Sequence, residues 1–211
     1  LARSLLLASK PEDVVRALLH PQEIRPVSVG VVQTPDSSRH FIVSSGLGYD
    51  AAICHEVNKS KLKTVLNHLR LGKLSYLAVA LKMLLLLKPC RMTLTLDDHT
   101  PLTFDRVFFA AVMNTKHEGG GFMFCPDADP SDAFLDICLV EKMPKLKILT
   151  LLPTAFSGHH TRFQGIRILR CKKLRMYTDI PRALHTDGEP YGMHQELTFS
   201  LKEQQLPFII R

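Results

Sequence analysis

Asp187 and Glu189 stand two residues apart on either side of Gly188. A carboxylate can orient or deprotonate a hydroxyl, and two of them can share a metal and its water. On a regular strand, residues at i and i+2 share a face, and a bend at Gly188 would also bring the two acids together. Spacing alone leaves a second reading open, since Asp-Gly is a common hairpin turn pair. A second candidate lies at Asn114-Thr115-Lys116-His117-Glu118-Gly119-Gly120-Gly121-Phe122. Three glycines in a row permit positive φ angles and leave backbone amides unshielded, which suits close approach of a phosphate or another domain. A structural turn explains the same run. An acidic stretch follows at Asp127, Asp129, Asp132 and Asp136.

Other chemistries find little support. The ten histidines form no metal-ligand spacing, and the adjacent pair His159-His160 would not share a helix face. There is no Gly-x-Ser-x-Gly elbow and no His-Glu-x-x-His motif, and Gly46-x-Gly48 is too short for a dinucleotide fingerprint. Five cysteines without close pairing argue against a disulfide framework and for a reducing, cytoplasmic compartment. Arg167, Arg170, Lys172, Lys173 and Arg175 line one expected strand, as a contact for lipid headgroups or as a solvated surface. With no Trp and no aromatic interleaving they make a poor nucleic-acid surface. The net charge of +7 favours anionic partners or reflects a solvated basic surface.

The elements that must position these residues are mostly strands. Ser9-Lys10-Pro11-Glu12 reads as a capping box before a helix to Leu19. Val27, Val29 and Val31 recur at period two over residues 24–33, and Phe41 to Ser44 answers them across Pro35-Asp36-Ser37-Ser38 as a hairpin. Gly46 to Asp50 breaks the sheet pattern. Helical spacing follows over residues 60–71, and a second helix, Leu74 to Leu87, is apolar almost all round. That stretch, interrupted by Lys82, is too short to span a bilayer. Strands are expected at Met92 to Leu96, across Leu102 to Met113 with both faces buried, at residues 134–140, 166–177, 196–201 and 207–210, with a helix over 145–156. At 211 residues, one large domain is the default.

Taken in order, Asn114, Gly119 to Gly121, Pro126, Ala128, Asp132, Leu135-Asp136 and Asp187-Gly188-Glu189 resemble the second-half signature of the diacylglycerol kinase, sphingosine kinase and bacterial lipid kinase superfamily. Ser45 to Ala51 resembles its glycine-plus-aspartate turn, and Leu71 to Tyr76 its helix junction. The resemblance covers nearly the whole chain. It implies a mainly β (α+β) fold, an antiparallel β-sandwich-like domain with appended helices over residues 1–211, lacking the α/β nucleotide-binding domain. It also implies ATP and Mg²⁺ as cofactors, a diacylglycerol-like lipid hydroxyl as phosphoryl acceptor, and Glu189 as base or water-mediated metal contact supported by Asp187. Gly119, Gly120, Gly121 and Asn114 would then line the cleft, toward substrate or phosphate. A structural Mg²⁺ would sit on Asp132 with the carbonyls of Asp129 and Phe134, although Ala133 replaces the usual glycine there. The partners so implied are the lipid, the chain's own nucleotide-binding domain, the inner face of a membrane as a peripheral contact, and a second copy in a homodimer, with no nucleic acid. A lipid- or partner-binding module without kinase activity, and a kinase like those acting on nicotinamide dinucleotides, stand as alternatives.

Overall fold

A computed structural model describes residues 10–21, 23–59 and 72–210. In chain order the elements are α1 (Pro11–Leu19), β1 (Glu23–Val27), β2 (Gly30–Gln33), β3 (Ser38–Phe41), β4 (Ser44–Gly48), α2 (Tyr49–Lys59), α3 (Gly72–Leu86), β5 (Cys90–Leu96), β6 (Leu102–Met113), β7 (Leu135–Glu141), α4 (Lys145–Leu151), β8 (Ile166–Cys171), β9 (Lys173–Thr186), β10 (Glu189–Leu201) and β11 (Leu206–Ile210). Short 3₁₀ turns lie at Gly119–Gly121, Leu152–Phe156 and His159–Arg162.

Nine strands form one antiparallel sheet in the order β3-β2-β10-β9-β4-β6-β7-β8, with β5 beside both β6 and β9. The strands β9 and β6 are long enough to change partner along their length. Each pairs with β5 over its first half and with β4 over its second. The sheet thereby curls over an interior built from residues such as Phe41, Leu47, Met92, Leu94, Ile137, Leu174 and Phe199, the expected sandwich-like architecture. A second core covers the outer face of β6 and β7, where Phe109, Met113 and Val140 pack under Tyr49, Val79, Leu84 and Ile148 of the helices. β6 is therefore buried on both faces from Val107 to Met113, as its unbroken apolar run predicts. Each such side chain taken out of water contributes about 1.5–3 kcal/mol before the entropy of ordering it is subtracted.

Several boundaries differ from the sequence reading, each for a local physical reason. The expected strand over 24–33 divides at Ser28, whose amide donates to the Pro130 carbonyl at 2.7 Å. β1 consequently joins β11 in a separate two-stranded sheet, while β2 forms a hairpin with β3, which ends at Phe41, where the expected partner strand Phe41 to Ser44 would begin. Val32 rather than Val31 points into the core. The stretch expected to break the sheet at Gly46 is instead the fully buried strand β4, and α2 begins directly after it. The strand over 166–177 divides at Lys172, where Asp97 Oδ1 accepts from the amides of Lys172 and Lys173, both at 2.8 Å. Helix α1 does start with Pro11 in its first turn, but its N-cap is Lys10, with no side-chain bond. Ser9 of the expected capping box, and the helix expected over 60–71, lie outside the described residues. No helix among the described residues is long and apolar enough to cross a membrane.

Candidate functional site

The turn joining β9 to β10 is made by Asp187 and Gly188, at φ 50° and 84°, the two left-handed residues that a tight hairpin takes. The Asp187 carboxylate is taken up by three backbone amides. Oδ1 accepts from the amides of Val43 at 2.8 Å and Ser44 at 3.0 Å, and Oδ2 from that of Ile42 at 2.9 Å. Its own amide donates to the Ser44 carbonyl at 2.8 Å. Asn114, buried at 1% exposure, grips the same link from the other side, its Nδ2 donating to the carbonyls of Ile42 and Ser28 at 2.8 Å each. These two residues, expected in the cleft as a catalytic support and a phosphate or substrate contact, clamp the two-residue link between β3 and β4, and Asp187 also borders the pocket described below. Isolated backbone amides and carbonyls there would otherwise lack partners.

What the clamp positions is Ser44 and, beyond it, Asp50. The register of β4 on β9 sets Gly46 opposite His185. A side chain on Gly46 would run into both Asp50 and His185, so only glycine leaves room for them to meet. Nε2 of His185 lies 3.1 Å from Asp50 Oδ2 and 3.2 Å from Glu118 Oε1. Glu118 reaches this point because the glycine run after it closes a tight loop. The Glu118 amide donates to the Phe122 carbonyl at 2.8 Å, and Gly120 and Gly121 take φ values of 75° and 89°. Ser44 Oγ donates to Glu118 Oε1 at 2.7 Å. Gly119 lines the pocket described below, while Gly120 is exposed.

Two largely buried carboxylates sharing one imidazole hold on to a proton. Burial alone would lower the pKa of His185, but its hydrogen bonds and charge contacts with Asp50 and Glu118 prevail and raise it to about 10. Burial raises Asp50 as well. Burial would also raise Glu118, yet the hydrogen bonds from His185 and Ser44 bring it below its ordinary value. The amide of Gly188 lies 3.2 Å from Nδ1, and a proton on Nε2 faces the two carboxylates.

The same geometry tests the cluster as a metal centre. Asp50, Glu118 and His185 offer three ligand atoms within 4.8 Å of one another, but a protonated Nε2 has no lone pair to give, and Mg²⁺ prefers oxygen ligands. This cluster does not fit Mg²⁺. Nor does the turn at Asp132: its Oδ1 accepts from the Phe134 amide at 2.9 Å and its Oδ2 is paired with the guanidinium of Arg170. Ala133 keeps the left-handed backbone, at φ 60°, that glycine would adopt without strain. Asp129 holds Arg25 through both carboxylate oxygens, at 3.0 and 2.8 Å. The basic strand is matched in the same way, Arg167 by Glu141 and both Lys173 and Arg175 by Asp98.

Above the cluster opens a pocket of about 320 Å³. Its walls are apolar: Tyr49, Ile53, Phe109, Phe122, Ile148 and Leu152. Its polar end is Ser44, Asp50, Glu118 and His185, with Asp187 and Gly188 at the edge. An apolar cavity with a few convergent polar groups is the form of a small-molecule site. Glu189 is exposed, one residue past that edge, and its charge is felt on the pocket wall. Burial pushes the Cys54 thiol up to about 12, and the charges of Asp50, Glu118 and Glu189 add to it. The sequence reading named neither Asp50, Glu118 nor His185 as functional. Each lies beside a motif it did flag, but their meeting depends on strand register.

The family model described as the YegS C-terminal NAD kinase beta sandwich-like domain matches residues 42–208. The chain is 33% identical over 165 residues to YtlR, a candidate lipid kinase of Bacillus subtilis (strain 168), covering 78% of this chain and 53% of that protein. It is 27% identical over 151 residues to a diacylglycerol kinase of Mycobacterium tuberculosis, covering 71% of this chain and 46% of the relative. It thus spans about half the length of these curated relatives. A crystal structure of a diacylglycerol kinase from Bacillus anthracis superposes with a TM-score of 0.64 at 14% identity, a likeness of fold, over 100% of this chain and 62% of the other.

Proposed function

Because the chain belongs to the family of YegS C-terminal NAD kinase beta sandwich-like domains, we propose that it is the substrate side of an ATP-dependent lipid kinase, completed in the intact protein by a nucleotide-binding domain. The observation that carries this reading is the apolar pocket ending in Ser44, Asp50, Glu118 and His185 beside the turn that leads to Glu189. The acyl tail occupies the pocket and the hydroxyl lies at its polar end. An apolar wall of this kind favours a lipid over a dinucleotide, whose sugars and phosphates would leave polar groups unpaired there.

In the reaction so proposed, the lipid hydroxyl oxygen forms a bond to the γ-phosphorus of ATP, the bond from that phosphorus to the bridging oxygen breaks, and ADP leaves. The hydroxyl proton passes to the carboxylate of Glu189. Phosphoryl transfer asks the protein chiefly for position and charge stabilisation. Here Asp187 holds the turn, Asp50 and Glu118 accept hydrogen bonds from the lipid headgroup, and the apolar wall excludes water. Mg²⁺ supplies charge neutralisation on the phosphates in such chemistry, but the described acidic groups at Asp132 and at Asp50, Glu118 and His185 do not form its cage.

The experiment is phosphate transfer from ATP to dispersed diacylglycerol by the full-length protein. Glu189→Gln is expected to leave folding intact and abolish most of the product. Full activity in that variant would remove Glu189 from the mechanism, and an inactive wild type that binds no lipid would remove the kinase reading.

A further inference from the structure

Beside the pocket, α3 and the 145–156 helical segment leave large apolar side chains in water. Leu85 is 73% exposed and Leu86 63% on α3, and Leu146 is 73% exposed on α4. Phe156 is 48% exposed at the end of the following 3₁₀ turn. These are neighbours: Lys145 Nζ donates to the Leu85 carbonyl, pinning the start of α4 to the end of α3. The Phe156 ring stacks on Phe122 with centroids 4.4 Å apart, and Phe122 with Ile148 and Leu152 forms the pocket wall. The exposed face is therefore continuous with the rim of the pocket. Contiguous exposed apolar surface next to a binding groove is seldom left uncovered.

The charge pattern of the two segments says what covers it. Residues 72–88, which hold α3, contain three Lys and no Asp or Glu, and residues 142–166, which hold α4, contain four Lys or Arg and again no acid. The chain as a whole carries 20 acidic residues, so two stretches free of them, both forming this face, are a local property and not the average composition. Among the described lysines of the face, Lys82 meets Glu56 at 2.6 Å, a pair exposed enough to yield to a stronger anionic surface. Leucines among lysines, with no acid in either segment, are the signature of a surface that lies on an anionic bilayer.

We propose that the α3 and α4 face, centred on Leu85, Leu86 and Leu146 and ringed by lysines, docks the protein on an anionic membrane. The pocket rim then sits at the headgroup level. The contact stands apart from the phosphoryl-transfer reading, because it concerns residues outside the pocket and can be measured without ATP.

The test is co-sedimentation of the full-length protein with vesicles of phosphatidylcholine alone and of phosphatidylcholine mixed with phosphatidylglycerol. Wild type is expected in the pellet with the mixed vesicles only, with salt releasing it. The double variant Leu85→Asp, Leu146→Asp is expected to weaken that binding by about tenfold or more, and Lys145→Glu, Lys147→Glu by a similar factor. Thermal melting shows whether each variant remains folded. Activity toward a short-chain, micelle-dispersed lipid should be unchanged in the leucine variant while activity on vesicles falls, which separates docking from catalysis. Equal binding to both vesicle types, or binding that both variants retain, overturns the proposal. So does a wild-type dimer that the leucine substitutions dissociate, since the face would then belong to a second copy.

Discussion

Two acid-rich turns stand out in this chain, Asp187-Gly188-Glu189 and the loop from Asp127 to Asp136, and the fold treats them in opposite ways. In the loop the carboxylates meet cations. Asp129 holds Arg25 and Asp132 holds Arg170, which also approaches Asp136 to 4.0 Å. In the turn no arginine among the described residues pairs with either acid. Asp187 takes three backbone amides instead, and Glu189 is left exposed next to a pocket whose other acids share a histidine. An acidic motif is thus a latch where the fold brings a guanidinium to it and a candidate for chemistry where it does not.

The contrast is sharpest at Glu189. Glu189→Gln removes the proposed base and should lower lipid phosphorylation by about 100- to 10,000-fold with the melting temperature unchanged, measured by product formation in the full-length protein. If the loop and the turn are both merely structural, that rate will not move.

Asp187→Ala should cost about 2–3 kcal/mol of stability in a urea titration, since it removes a charged acceptor from three amides and places alanine at a positive φ. Asp187→Asn keeps a residue at ease in the left-handed region and should recover part of that loss. A change smaller than that of an ordinary surface substitution would mean the clamp on the β3–β4 link is not needed.

A third way to separate the regions is pH. His185 takes up its proton more tightly in the folded state, at about 10 against an ordinary 6.5, and Asp50 moves in the same direction. The stabilisation from a raised pKa is complete below the unfolded value and is lost as pH climbs through the folded one. The melting temperature should therefore fall as pH rises from about 6.5 towards about 10, and His185→Asn should flatten that slope. A wild-type curve that rises over this range would contradict the shared proton.

The smallest effect belongs to the loop. Arg170 and Asp132 are both partly exposed, their side chains at 43% and 27%, so Arg170→Met should change stability by about 1 kcal/mol or less in the same titration. It should also free the carboxylates of Asp132 and Asp136. Mg²⁺ added to that variant then reports on the loop directly: a rise in melting temperature seen only without the arginine would show that Arg170 stands where a cation otherwise could.

Much of the framework could be read from local patterns. The apolar run from Val107 to Val112 has no solvent face and became the doubly buried β6. Leu74 to Leu87, apolar almost all round, became α3 at Gly72–Leu86. The turn residues from Pro35 announced a hairpin after β2, although its second strand, β3, starts at Ser38, inside the expected turn. Each of these is fixed by periodicity or turn chemistry within a few residues. The misreadings share a cause as well. Gly46 to Asp50 looked like a break because glycine is a poor strand former alone, yet Gly46 to Gly48 belong to the central strand β4, where the close approach of Asp50 and His185 demands a small residue at Gly46. Propensity gave way to packing.

By itself the sequence determined the family, the strand-rich class and the positions of the glycine run and the Asp187-Gly188-Glu189 turn, because these depend on residue type and short spacing. Only the tertiary structure decided which acids do what. Asp50, Glu118 and His185 are scores of residues apart in the chain, and they meet because β4 lies on β9 with Gly46 facing His185 and the glycine loop returns Glu118 to the same point. Register is a property of paired strands, and no single segment carries it.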